Sequence, residues 1–173
     1  MKLHIGCGKR ILVGWENLDL KRSPKGVPPF NCIKPWRFES RSVNAVYSEA
    51  LFEHLTQYEQ FKYLAECRRV LRPGGVCRIA VPDGRWSLEH LITIGDVKKL
   101  GMKALDGTRD YYDSEHKFLP TESYLKSVMN SFGFSVFVMR MNESIIPDFP
   151  GDSRPLDGAV RPVEGWLYVD GVV

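Results

Sequence analysis

The sequence predicts an α/β protein on a doubly wound sheet that closes with an antiparallel strand pair. Three observations predict it. Short apolar runs that read as strands alternate with helical patterns along the chain. The first run ends directly in Gly6-Cys7-Gly8, and sheets of this kind hold ligands beyond the carboxyl ends of their strands. The last two strand candidates are joined by a proline-rich stretch without a helical pattern, which suits antiparallel neighbours, because a parallel pair needs a crossover.

Leu3 to Ile5 is the first strand and Trp15 to Leu20 the second. Only a few residues, Gly14 among them, lie between Gly8 and the second strand, so the first crossover helix is expected to be short or missing. Lys21 to Pro35 carries four prolines and reads as loop, with Phe30 to Ile33 as a short strand. Val43 to Tyr47 reads as a buried strand. Thr56 and Glu59 fit a capping box, and Phe61, Leu64, Ala65 and Leu71 recur at helical spacing until Pro73-Gly74-Gly75 stops the helix. Val76 to Val81 is the next strand, closed by Pro82-Asp83-Gly84. Trp86 to Arg109 is loosely helical, broken by Gly95 and Gly101. Pro120-Thr121 opens a helix with Tyr124, Leu125, Val128, Met129 and Phe132 on one face and Gly133 as its stop. Phe134 to Met141 is a strand, residues 142–162 are irregular, and Trp166 to Val169 is the last strand.

Composition narrows the function classes. The 173 residues suit one domain, 43% hydrophobic and 26% charged, enough to build a core. The net charge of +3 is mild, and Lys and Arg are scattered apart from Lys9-Arg10 and Arg68-Arg69-Arg72. Nucleic acid is therefore not an expected partner. Cys7, Cys32, Cys67 and Cys77 form no C-x-x-C pair, so neither a metal site nor a disulfide framework is expected. The chain shows no apolar run of membrane-spanning length and no secretory pattern at Met1 to Gly6. A cytoplasmic location is expected.

The glycine turn and the acid at the end of the second strand define the candidate site. Glycines let a ligand approach the backbone, and Asp19 stands where a carboxylate can accept both hydroxyls of a ribose. Each feature alone is equally at home in a simple turn. The pattern is not a dinucleotide fingerprint: Ile11 fills the third glycine position, and Asp19 lies 13 residues after Gly6, where about 20 are usual. A nicotinamide-dependent oxidoreductase is disfavoured for that reason, and a phosphate-free cofactor is favoured.

Several strings together carry a family resemblance. Leu3-His4-Ile5-Gly6-Cys7-Gly8 with Gly14-Trp15-Glu16-Asn17-Leu18-Asp19-Leu20, Glu53-His54-Leu55 after the Val43 strand, and Leu71-Arg72-Pro73-Gly74-Gly75 before Arg78-Ile79-Ala80-Val81-Pro82-Asp83 resemble a compact branch of the class I S-adenosylmethionine-dependent methyltransferases. The resemblance implies a Rossmann-like sheet and S-adenosylmethionine as cofactor. Gly6, Cys7 and Gly8 would lie under its methionine part, Asp19 would hold the ribose, and Leu20 would lie beside the adenine. A further adenine contact would fall near Asn31 to Ile33, and Ser48, Glu49 and Ala50 would line the methionine and acceptor side. His116 is the first candidate for a general base or acceptor contact, since similar proteins carry a histidine there. His54 and Asp83 are further candidates, each with a structural reading beside it, and Tyr111 and Tyr112 either line the same mouth or pack. His4 reads as a packed strand residue and His90 as a surface one. By analogy with related proteins the acceptor is a small molecule or a glycosyl hydroxyl. A catalytically degenerate binding or scaffold domain is the alternative, and a homodimer is compatible with either.

Overall fold

The computed structural model describes residues 1–20, 27, 29–94, 116–152 and 165–173. Its elements, in chain order, are β1 (Lys2–Ile5), β2 (Glu16–Leu18), β3 (Val43–Glu49), a 3-10 turn (Phe52–His54), α1 (Gln57–Val70), β4 (Leu71–Pro82), α2 (Gly84–Ile94), α3 (Glu122–Ser131), β5 (Ser135–Met139) and β6 (Trp166–Val172). They build a six-stranded sheet of order β2-β1-β3-β4-β6-β5. The first four strands run parallel, and β6 pairs antiparallel with both β4 and β5. The predicted α/β sheet with an antiparallel C-terminal pair is the one that forms. No helix among the described residues is long and apolar enough to cross a membrane.

Strand alternation gives the sheet two different faces. One carries Leu3, Ile5, Val46, Ile79 and Val169 and is covered by Tyr63, Leu64, Cys67 and Val70 of α1 and Leu125, Val128 and Met129 of α3. The other carries Ala45, Tyr47, Val76, Ala80 and Tyr168 and is covered by Leu12, Trp15 and Ile146 from irregular segments. Residues 6–15, between β1 and β2, contain no helix, as their shortness implies.

Local signals hold where the chain itself supplies the partner. Thr56 and Glu59 form the predicted capping box of α1, Thr121 caps α3 through the Tyr124 N–H, and Gly133 follows that helix at φ +80°.

β2 and β5 are shorter than the expected Trp15 to Leu20 and Phe134 to Met141, and four further readings change. Phe30 to Ile33 is not a strand: Pro29 makes one bridge to Asp19, and the Asn31 carboxamide then accepts from the Ile33 N–H at 3.1 Å and turns the chain. The core face of α1 is Gln60, Tyr63, Leu64, Cys67 and Val70, while Phe61 is 40% exposed. Gln60 is admitted to the core because its amide donates to the Phe52 and Leu55 carbonyls, both at 3.1 Å. Pro73-Gly74-Gly75 lies inside β4 instead of ending α1. Leu71 pairs with Val43 and Val76 with Ala45, so the extra residues bulge out of the ladder. The last strand runs on to Val172, because pairing with both β4 and β5 satisfies its backbone on two sides. Of the loosely helical stretch 86–109, α2 is formed to Ile94; the rest lies outside the described residues, as do Tyr111, Tyr112 and 153–162 of the irregular segment.

Candidate functional site

The turn after β1 is tied to the end of β2. The Gly6 and Cys7 N–H groups both donate to the Leu18 carbonyl, at 2.8 and 3.1 Å, and the Gly8 N–H donates to Asp19 Oδ2 at 2.9 Å. Gly6 and Gly8 have φ of +71° and +53°, a region that disfavours any side chain. A Cβ on Gly6 would also press on Leu51 at 3.3 Å, whereas one on Gly8 would meet nothing within 4 Å. Gly6 packs against the chain beyond β3, and Gly8 looks into open space.

Asn17 takes over the organising role that a crossover helix would have. Its Oδ1 accepts from the Leu12 N–H at 2.9 Å, and its Nδ2 donates to the Leu12 and Trp15 carbonyls, each at 3.0 Å. His4 Nδ1 lies 3.1 Å from the same Oδ1, so Nδ1 carries the proton and donates. The His4 ring stacks on Tyr47, with centroids 5.1 Å apart. Burial pushes His4 down from 6.5 to about 4; the Asn17 hydrogen bond opposes the shift. His4 is thus the packed strand residue expected from its position.

A polar network fixes the loop-covered face. The Tyr47 hydroxyl donates to Glu49 Oε2 at 2.7 Å, and Arg10 Nη1 reaches the same oxygen at 3.3 Å. Arg10 Nη2 donates to the Gly151 carbonyl at 2.6 Å, binding the glycine loop to the segment 140–152. Beneath them Arg78, fully buried, holds Asp152 through Nε at 3.0 Å and Nη2 at 2.6 Å, and Asp170 through Nη1 at 2.9 Å. The guanidinium carbon lies 4.7 Å from the Phe149 ring centroid and 5.3 Å from that of Tyr168.

The candidate residues separate by environment. Leu20 is 52% exposed beside Asp19. Cys7 is buried, and burial pushes its thiol up to about 11, so it packs as a neutral side chain. Glu49 faces the Arg10 network, and Ser48, 1% exposed, lies on the α1 face. Ala50 has φ +50° at the end of β3, a strained conformation for alanine of the kind that concentrates at ligand sites. Asp83 caps α2, its Oδ1 accepting from the Arg85 and Trp86 N–H groups at 2.8 and 3.4 Å.

His54 and His116 come together. Their ring centroids are 4.9 Å apart at 62°. The Lys117 and Phe118 N–H groups donate to the Glu53 carbonyl at 2.9 and 3.2 Å, which docks the His116 segment against the 3-10 turn. Glu53 is buried, with Oε1 4.0 Å from His54 Nε2. Sequence reasoning passed over Glu53, Asn17, Arg10 and Arg78. Of these, Arg78 had a signal: it is a lone charge in the middle of an apolar strand.

A family profile described as a methyltransferase domain matches residues 30–79. No curated protein matches the chain. Among solved structures, an S-adenosylmethionine-dependent methyltransferase from Methanosarcina mazei is similar over 99% of this chain and 92% of its own, with a TM-score of 0.60 and 17% identity. One from Archaeoglobus fulgidus is similar over 99% and 85%, with a TM-score of 0.62 and 15% identity. A third, from Thermotoga maritima and described as a possible histamine N-methyltransferase, is similar over 99% and 81%, with a TM-score of 0.59 and 10% identity. The chain has the fold of these S-adenosylmethionine-dependent methyltransferases, and the methyltransferase-domain profile matches its middle part.

The residues at the ends of β1 and β2 leave room for S-adenosylmethionine, the cofactor that the sequence resemblance implies. The missing Cβ of Gly8 leaves room above the loop, and Asp19 stands beside it. A carboxylate accepts up to about four hydrogen bonds, of which the Gly8 N–H takes one. A helix N-terminus, which a pyrophosphate would use, is absent from residues 6–15, and S-adenosylmethionine has no phosphate that needs one.

Proposed function

We propose that this chain is an S-adenosylmethionine-dependent methyltransferase acting on a hydroxyl of a small-molecule or glycosyl acceptor, with Gly6, Cys7 and Gly8 flooring the donor site and Asp19 holding the ribose. The observation that carries the reading is the tie between the Gly8 N–H and Asp19: it sets a carboxylate against a glycine-floored opening at adjacent strand ends. S-adenosylmethionine supplies a methyl group on a sulfonium, a leaving group that needs no acid. What remains for the chain is alignment and, for a hydroxyl acceptor, handling of one proton. Leu20 offers an exposed apolar surface beside Asp19 for the adenine, with Asn31 to Ile33 next in line. Ser48 and Glu49 support the methionine side from the end of β3, Glu49 by anchoring Arg10. His54 and His116 are the groups suited to meet the acceptor, because two imidazoles lie together beyond Leu51, which packs on Gly6. Asp83 serves the acceptor side through α2, whose start it caps.

Calorimetry with S-adenosylmethionine tests the donor site. Asp19→Ala is expected to weaken binding by about 1–3 kcal/mol, the loss of hydrogen bonds to a charged group. Unchanged affinity would remove Asp19 from the site. His116→Ala is expected to lower turnover at least tenfold, on the scale of a lost general base, while donor affinity stays within about twofold. Release of S-adenosylhomocysteine against a glycoside panel reads it, and undiminished turnover in the variant would take His116 out of the reaction.

A further inference from the structure

We infer that Glu53, His54 and His116 form a binding site for one divalent metal ion of the zinc class, on the acceptor side of the methyl-donor site. The ion site stands on its own geometry; its placement at the acceptor rests on the function proposed above. Each residue offers one ligand atom, and the three atoms all lie within 4.8 Å of one another. Ligands about 2.1 Å from a tetrahedral ion stand about 3.4 Å apart, so an ion would draw these atoms together by roughly 1 Å. Side-chain rotation can supply that movement, because the backbone is already in place. The Glu53 carbonyl holds the Lys117 and Phe118 N–H groups, and Gln60 holds both ends of the 3-10 turn. Gln60 is itself positioned by the Tyr124 hydroxyl, which donates to its Oε1 at 2.6 Å.

The donor set selects the ion. Two imidazoles and one carboxylate, without a thiolate, suit a borderline divalent transition metal better than a soft or an alkaline-earth ion. Glu53 is 1% exposed and His54 is 26% exposed at the side chain, so the site has a buried back and a solvent-facing front. Three protein ligands with an open fourth position are the arrangement of a reactive metal centre, not of a closed structural one. The edge-on angle of the two rings, 62°, lets nitrogens converge where a parallel stack would hold them apart. A hydroxyl-bearing acceptor reaching the open position would be oriented and polarised by the ion, which eases loss of its proton to solvent, and the two histidines would act on the acceptor through the ion.

The test uses the full chain without an affinity tag, stripped with a chelator and titrated with Zn2+ in calorimetry and with Co2+ in visible absorption. One equivalent of Zn2+ and the ligand-field bands of low-coordinate Co2+ are expected. His54→Ala and His116→Ala should each weaken Zn2+ binding at least tenfold, the scale on which even supporting residues act. Both retain the buried carboxylate, so their thermal unfolding should match wild type; Glu53→Gln is the third variant. S-adenosylmethionine affinity is measured on the same samples. Donor binding without stoichiometric metal, or Zn2+ binding indifferent to both histidine variants, overturns the metal site and leaves the methyltransferase reading intact. Stoichiometric metal without donor binding supports the metal site and overturns its placement in a methyltransferase.

Discussion

Arg78→Met is expected to destabilise the protein by about 3–5 kcal/mol, the usual consequence of leaving buried carboxylates without their cation. Asp152 and Asp170 have fully buried side chains, and Arg78 makes three hydrogen bonds to them. Other donors remain for each acid: the Asn142 N–H at 2.7 Å for Asp152, and Ser144 Oγ at 2.7 Å with the Ile145 N–H at 2.6 Å for Asp170. They carry no compensating charge. The methionine fills similar volume, so the loss reports electrostatics more than packing. Adding Asp152→Asn and Asp170→Asn should recover much of the stability, since no buried charge is then stranded. Urea unfolding of the single and triple variants measures both. A single variant within about 1 kcal/mol of wild type, the level of an ordinary surface change, would show that the network contributes little. Function follows stability here, because segment 140–152 is also the anchor for Arg10 and, through it, for the glycine loop.

Stability is expected to fall as pH drops from about 6.5 toward 4 in a way that depends on His4. The unfolded chain binds a proton there near pH 6.5, while burial delays protonation of the folded chain until about 4. Between those values the unfolded state holds more protons, so stability decreases as pH falls, by up to about 3 kcal/mol. The groups facing His4 modify the window: Arg10 lowers its pKa further, and Glu49 and Asp19 raise it. His4→Gln keeps a donor for Asn17 and removes the titration. Its unfolding free energy should vary less between pH 6.5 and 5 than that of wild type. Equal slopes for the two proteins would assign the acid sensitivity to other groups.

The two predictions rest on residues that the sequence marked unequally. His4 reads as a packed strand residue, because it lies inside the first strand between Leu3 and Ile5. Arg78 occupies a position that alternation alone assigns to an apolar side chain. Among the described residues, loops cover the second face of the sheet, and they bring backbone groups and acids that an arginine can gather. The glycine turn and Asp19 were legible because they lie at strand ends in neighbouring stretches of chain. Their hydrogen bond was not, nor was the role of Asn17, which depends on where the loop folds back.

By itself the sequence determined the elements whose partners are near in the chain: the capping box at Thr56, the cap at Thr121, the glycine turn, the short β1–β2 connection and the antiparallel pairing of the late strands. These follow from backbone geometry and side-chain periodicity, which act over a few residues. Tertiary structure alone decided that Glu53 and His54 meet His116, that Arg78 meets Asp152 and Asp170, and that β4 begins in a bulge at Leu71. Those arrangements join residues from distant segments. Burial strengthens their electrostatics as water is excluded, and no local pattern records which distant groups will share the same enclosed space.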